Sequence, residues 1–250
     1  MKFGIIGYGN LGRAFASALT CTGDVSVDAI FVCDISPDAL ADAKKQGYEA
    51  FNVSEINKLI NAVDVIILVI KGYVFDELVK SIDIENLKNK QVISLMAGET
   101  LAKLKSLLGD INITRAMPSL AIATNDGVLA YTKASDNVVK IFNKFGVAFE
   151  TSEENLRKVM AFAACGLGFA AYLVNAFKIA GESMDFTPEI ATQITSKTFK
   201  NVIDTGNFDE IVKAVATQGG ATEQGILYMN EKDVTGIVAE AMNRAYEKMS

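Results

Sequence analysis

The chain opens on a short apolar run, Phe3-Gly4-Ile5-Ile6, and then alternates β-branched stretches with amphipathic ones up to about residue 150. Strand patterns fall at Lys2–Ile6, Ala29–Cys33, Val63–Val69, Gln91–Leu95, Ile111–Ala116, Gly127–Tyr131 and Val147–Thr151. Helical patterns fall between them, at Asn10–Leu19, Pro37–Gln46, Glu55–Ala62, Val74–Ser81, Leu101–Leu108 and Ala134–Phe145. Alternation of this kind predicts right-handed βαβ units and a mostly parallel sheet with helices on both faces. The run Val65–Ile70 is apolar at every position, as a central parallel strand requires. Ser36-Pro37-Asp38 marks a helix start, with a capping hydroxyl and proline at the first helical position. Gly98-Glu99-Thr100 precedes another helix.

After about residue 152 the strand pattern stops. Glu153–Ala180, Pro188–Asp204, Phe208–Val215, Thr222–Met229 and Val234–Met249 all read as helices. Two domains are therefore expected, 1–151 around the sheet and an all-α domain at 152–250. Met160–Phe177 is nearly free of polar side chains, but it is short for a membrane span, rich in Ala and Gly, and flanked by Arg157, Lys158 and Lys178. The expectation is a helix buried inside protein, with no membrane partner. Roughly 100 helical residues can hardly bury such a helix alone, which predicts a homodimer or higher homo-oligomer.

Composition narrows the chemistry. Half of the 250 residues are hydrophobic and 22% are charged, which fits a soluble globular chain. A net charge of −6 argues against a nucleic-acid partner. The N-terminal apolar run is too short for a signal peptide. Three cysteines with no C-x-x-C pair predict neither a disulfide framework nor a metal site, and suggest a reducing, cytoplasmic setting. There is no histidine, which removes Ser-His-Asp and Cys-His triads, the common zinc hydrolase sites and histidine proton relays. Catalysis would have to use hydroxyls, carboxylates, Lys, Tyr, Cys or backbone dipoles.

Directly after the first strand pattern stands Gly7-Tyr8-Gly9-Asn10-Leu11-Gly12. In a G-x-G-x-x-G turn the first glycine makes the bend, the second lets a pyrophosphate approach the backbone, and the third lets the helix pack on the strand. The helix end adds free N–H groups and its positive dipole. The fold class expected is thus α/β, an N-terminal Rossmann-type doubly wound sheet followed by an all-α dimerisation domain. Asp34, at the end of the second strand and about 20 residues past the last glycine, is placed to accept hydrogen bonds from the adenosine ribose. A 2′-phosphate would be repelled there, and Ile35 and Ser36 follow instead of an arginine, so NAD is favoured over NADP.

These motifs and others downstream resemble the pyrroline-5-carboxylate reductase family over essentially the whole chain. Ile66–Lys71 is similar to that family's strand ending in Ala-Val-Lys-Pro, with Gly72 in place of Pro. Val92–Thr100 resembles its Val-Ile-Ser-x-x-Ala-Gly-x-[Ser/Thr], and Arg115-Ala116-Met117-Pro118-Ser119 its Arg-x-Met-Pro-Asn. Gln218-Gly219-Gly220-Ala221-Thr222 is similar to its Ser-Pro-Gly-Gly-[Thr/Ala]-Thr. The resemblance implies NAD(P)H-dependent reduction of the cyclic imine 1-pyrroline-5-carboxylate to L-proline, the closing step of proline biosynthesis. It implies cofactor contacts at Gly7, Tyr8, Gly9, Asn10, Leu11, Gly12, Asp34, Ile35, Ser36, Asn52, Val69, Ile70, Lys71, Ala97 and Gly98. Substrate contacts are implied at Ser119, Cys165, Gly219, Gly220, Ala221 and Thr222, with the Thr222 hydroxyl on the ring nitrogen as the catalytic group. Two glycines leading into a helix are expected to offer free N–H groups to a small carboxylate.

The departures gather at the implied substrate pocket. The family's Ser-Gly-Ser-Gly-Pro-Ala is Cys165-Gly166-Leu167-Gly168-Phe169-Ala170 here, and its preceding Asp and Thr align with Val159 and Phe162. Ser-Pro before the glycine pair is Thr217-Gln218. Loss of polar groups from a hydrogen-bonding site can change selectivity by orders of magnitude. Two alternatives therefore stand beside the leading reading: a reductase of another cyclic imine, and a non-catalytic nucleotide-binding relative. An inert thiol is the expectation for Cys165 in its apolar helix.

Overall fold

The computed structural model describes residues 1–248, so the final position of the expected helix Val234–Met249 lies outside the described residues. The chain forms two compact units, Met1–Ala164 with Lys248, and Cys165–Glu247.

The first unit is built on eight strands: β1 (Phe3–Ile6), β2 (Ile30–Asp34), β3 (Glu49–Asn52), β4 (Val65–Leu68), β5 (Gln91–Ser94), β6 (Asn112–Pro118), β7 (Gly127–Tyr131) and β8 (Gly146–Glu150). They lie in the order β3-β2-β1-β4-β5-β6-β7-β8, and every pair is parallel except β6–β7. From β1 the chain builds outward to β3 and then returns to lay β4 on the other side of β1. Open α/β sheets bind ligands beyond the carboxyl ends of their strands at such a reversal.

Side-chain alternation in the strands divides the core between the two faces of the sheet. Phe3, Ile5, Val32, Ile67 and Ile93 pack under α1 (Asn10–Cys21), α2 (Pro37–Lys45) and α6 (Asp136–Phe142). Ile6, Phe31, Cys33, Ile66, Leu68 and Val92 pack under α3 (Ile56–Ala62), α4 (Gly72–Leu78) and α5 (Leu101–Leu108). The Ser36 hydroxyl accepts from the Ala39 N–H and caps α2 as its sequence predicted. The strand β3 has no counterpart in the expected pattern. It lies at the sheet edge, paired only with β2, and its half-exposed sequence Glu-Ala-Phe-Asn carries little apolar periodicity.

The unit boundary falls at 164–165, beyond the 151–152 expected from the end of the strand pattern. The reason is α7 (Glu153–Val159), whose Leu156 is buried against Met117 and Ala130 of the sheet. A π-helical turn, Met160–Cys165, then interrupts the long expected helix before α8 (Gly166–Glu182).

The second unit holds α8, α9 (Pro188–Thr205), α10 (Phe208–Val215), α11 (Ala221–Glu231) and α12 (Val234–Lys248). Burial of the apolar stretch Met160–Phe177 was expected and is not found in the single chain. Phe162, Leu167, Tyr172, Leu173 and Phe177 are exposed. Among residues 165–247 only Ala191 and Thr195 are buried, so these helices have too little of their own chain to pack against. By length and composition the helical stretch Glu153–Glu182 is apolar enough to cross a membrane.

Candidate functional site

The glycine turn stands at the carboxyl end of β1, at the reversal. Gly7 has φ +101°, and a Cβ there would meet the Val69 carbonyl oxygen at 2.4 Å. A Cβ on Gly12 would lie 2.1 Å from the Gly7 carbonyl oxygen, so α1 packs on the turn only because position 12 has no side chain. Gly9 is different. Its φ of −76° and ψ of −163° suit any residue, and a Cβ there would meet no atom within 4 Å. Nothing in the local structure requires glycine at position 9, which leaves access for a ligand as its use.

Gly9 is also the N-cap of α1, and no side chain caps the helix. The N–H groups of Asn10, Leu11 and Gly12 have no intrahelical acceptor, and together with the helix dipole they suit an anion. Residues 9–12, 69–72, Leu95 and Ala97 line one cleft of about 360 Å³ at this end. The structure thus brings together the expected Gly9–Gly12, Val69–Lys71 and Ala97, and adds Gly72 and Leu95. A larger cleft of about 540 Å³ lies among Gln91, Lys105, Asn112, Thr114 and Lys133, at the amino ends of β5 and β6, where doubly wound sheets do not hold their ligands.

On the β2 side, Asp34 Oδ2 accepts from the Tyr8 N–H at 2.6 Å and Oδ1 from the Ser36 N–H at 2.8 Å. One carboxylate therefore shapes the glycine turn while keeping its negative charge at the strand end. Ile35 beside it is exposed, and Asn52 faces Asp34 in strand register, its side-chain oxygen accepting from the Ser54 N–H. The Tyr8 side chain is buried, its ring edge-on to that of Tyr48. Burial, with Tyr48 and Asp42 nearby, pushes the phenol up to about 12, so it remains neutral at ordinary pH. Burial also pushes the neighbouring Cys33 thiol up to about 12, helped by Asp34 and Glu55.

On the β4 and β5 side, Lys71 is the N-cap of α4 and its ammonium lies 6.0 Å from the Tyr73 ring. Gly72, which stands where the resemblance has proline, admits the buried Glu99. A Cβ there would lie 1.9 Å from Glu99 Oε1. Glu99 pairs with Lys103, which also reaches Asp76. Gly98 has φ +79° with open space around it.

The expected substrate residues fare unevenly. Ser119 is buried, its N–H donates to the Val128 carbonyl and its hydroxyl oxygen accepts from the Val128 N–H at 3.1 Å. That hydroxyl oxygen ties the turn between β6 and β7, and its O–H proton remains available to donate. Cys165 is a free, half-buried thiol where the π turn meets α8.

Gly219 has φ +74° and Gly220 is the N-cap of α11. Their N–H groups were expected free and are not. Gly219 donates to Glu223 Oε2 at 2.7 Å and Gly220 to the Thr217 carbonyl at 2.8 Å. Glutamate at the third helical position reaches back over the turn, as in a capping box. Helix geometry still leaves the N–H groups of Ala221 and Thr222 without intrahelical acceptors, and Thr222 is exposed.

Comparison with known proteins gives two family models that match separate parts of the chain. Residues 153–250 match the model for pyrroline-5-carboxylate reductase dimerisation. Residues 2–98 match that for NADP oxidoreductase, coenzyme F420-dependent. The pyrroline-5-carboxylate reductases of Aquifex aeolicus and Escherichia coli are each 28% identical to the chain, over 99% of it and 96% of their own length. Among solved structures, the Plasmodium falciparum pyrroline carboxylate reductase with NADP bound superposes with a TM-score of 0.88 at 21% identity, covering 100% of this chain and 97% of its own. An imine reductase from Pseudomonas sp. reaches 0.63 at 16% identity, with 98% and 87% covered. At those identities the two structures speak for the fold alone.

Proposed function

We propose that this chain, which belongs to the pyrroline-5-carboxylate reductase family, reduces 1-pyrroline-5-carboxylate to L-proline with a nicotinamide dinucleotide. The structural observation that carries the dinucleotide half of this reading is Gly9, a glycine that neither backbone angle nor packing requires, at an uncapped helix end in the reversal cleft.

The bound dinucleotide supplies a hydride to the imine carbon. The chain's own residues do the rest. The turn at Gly7–Gly12 and the N–H groups of α1 hold the pyrophosphate, and Asp34 takes the adenosine ribose. Val69–Lys71 and Ala97 form the wall on the nicotinamide side. In the helical unit, the first turn of α11 receives the substrate carboxylate at the Ala221 and Thr222 N–H groups. The Thr222 hydroxyl oxygen accepts from the protonated ring nitrogen. The imine proton supplies the activating charge, so once hydride reaches the carbon the nitrogen is already an amine and no general acid is needed. A chain without histidine suits that scheme.

Asp34 supports NAD as the preferred form. A 2′-phosphate would stand against its carboxylate, and two unit charges about 4 Å apart repel by about 1 kcal/mol in water and more near protein. Asp34→Asn is expected to raise the ratio of kcat/KM with NADPH to that with NADH about tenfold. Steady-state kinetics with both cofactors would measure it, and an unchanged ratio would leave Asp34 without a part in the choice.

The proposed assembly is a homodimer through the helical unit. The dimerisation model spans the same residues that expose Leu167, Tyr172, Leu173 and Phe177, and an apolar area of that kind calls for a partner surface. A cytoplasmic location fits the three free cysteines.

A further inference from the structure

The loop joining β5 to α5 carries Ala97 into the cleft, and both of its ends are held by a pair of side chains that never reach the cleft. Arg115 lies on β6 opposite Ser94 and is almost fully buried, at 3% exposure. One end of its guanidinium donates to the Met96 carbonyl at 3.3 Å and the other meets Glu153 Oε1 at 3.0 Å. The same Glu153 oxygen accepts from the Leu101 N–H at 2.6 Å. Met96 is the residue before Ala97, and Leu101 is the first residue of α5. Between the two anchors sits Gly98 at φ +79°, a point where the backbone would otherwise be free to swing.

Glu153 is one-third exposed, but burying the Arg115 guanidinium is costly, and an apolar side chain of similar volume often serves stability as well. Arginine's planar fork, by contrast, can fix two acceptors at once in a set geometry. We infer that Arg115 and Glu153 are positioning residues for the dinucleotide, holding the Met96–Leu101 loop in the shape that makes the nicotinamide-side wall. This rests on the cofactor reading above. In a doubly wound sheet the adenosine half lies over the β2 side of the reversal and the second half over the β4 and β5 side. The pair therefore acts on one half of the ligand. A residue that mattered only to stability would act on both halves alike.

The test compares NADH with ADP-ribose, which lacks the nicotinamide ring, by calorimetric titration of the wild-type protein and two variants. Arg115→Lys keeps the charge and loses the fork. Glu153→Gln keeps an acceptor for the Leu101 N–H and removes the counter-charge, and it stands if the lysine variant fails to fold. Each variant is expected to weaken NADH about tenfold, equivalent to about 1.4 kcal/mol, while ADP-ribose weakens by less than roughly threefold. Equal weakening of the two ligands, or no weakening of NADH, would overturn the inference. Wild-type protein that binds no dinucleotide would instead sink the cofactor reading and this inference with it. Wild-type protein that binds NADH but reduces no imine would sink only the proposed reaction.

Discussion

Gly9→Ala is expected to leave the melting temperature of the protein within about 2 °C of wild type, yet to weaken NADH binding by tenfold or more. Gly12→Ala is expected to lower both. The contrast follows from what each added methyl would meet. At position 9 the backbone angles are ordinary and the methyl would meet no protein atom, so the folded state has no reason to change. The methyl would stand where a pyrophosphate must approach the α1 N–H groups, and lost charge-assisted hydrogen bonds are worth roughly 1.5–3 kcal/mol each. At position 12 the methyl would lie 2.1 Å from the Gly7 carbonyl oxygen, and α1 would have to move away from the turn. Overpacking of that kind costs about 1–3 kcal/mol of stability, and the displaced helix end loses its aim at the ligand. Thermal melts with calorimetric titration would separate the two. A Gly9→Ala protein that binds NADH as the wild type does would remove the cleft's strongest claim to a dinucleotide.

Thr222→Ala is expected to lower kcat/KM for the imine about 10- to 100-fold while NADH binding changes by less than about twofold. Thr222 lies in the first turn of α11 with its side chain exposed, and alanine is a better helix former than threonine, so the helix itself should survive. The loss would be that of one hydrogen bond to a charged nitrogen, which strengthens the case only if serine restores the rate and valine does not. Parallel kinetics of the three variants would decide it. Equal rates for the alanine variant and wild type would remove Thr222 from the chemistry.

The glycine turn was legible in the sequence because its requirements are local: a strand, a bend, a helix start and a fixed spacing. The mostly parallel sheet with helices on both faces followed from alternation of apolar runs and amphipathic helices, and the central place of β4 from its unbroken apolar run. The edge strand β3 was not legible, because a strand paired on one side needs no apolar period. The protein partners of Ser119 and of the Gly219 and Gly220 N–H groups were hidden for another reason. Val128, Glu223 and Thr217 compete for the same hydrogen-bonding groups that a motif assigns to a ligand. The Arg115–Glu153 anchor joins residues 38 apart, and spacing alone carries no sign of such a pair. The exposure of Met160–Phe177 is a further case, since the sequence announces an apolar surface without saying which chain covers it.

Imine reduction is read most directly as loss of reduced-cofactor absorbance when purified protein meets 1-pyrroline-5-carboxylate with NADH or NADPH. Turnover with formation of L-proline is expected, faster with NADH. Tight dinucleotide binding by well-folded protein with no proline formed from either cofactor, at high enzyme concentration, would rule out the proposed reaction.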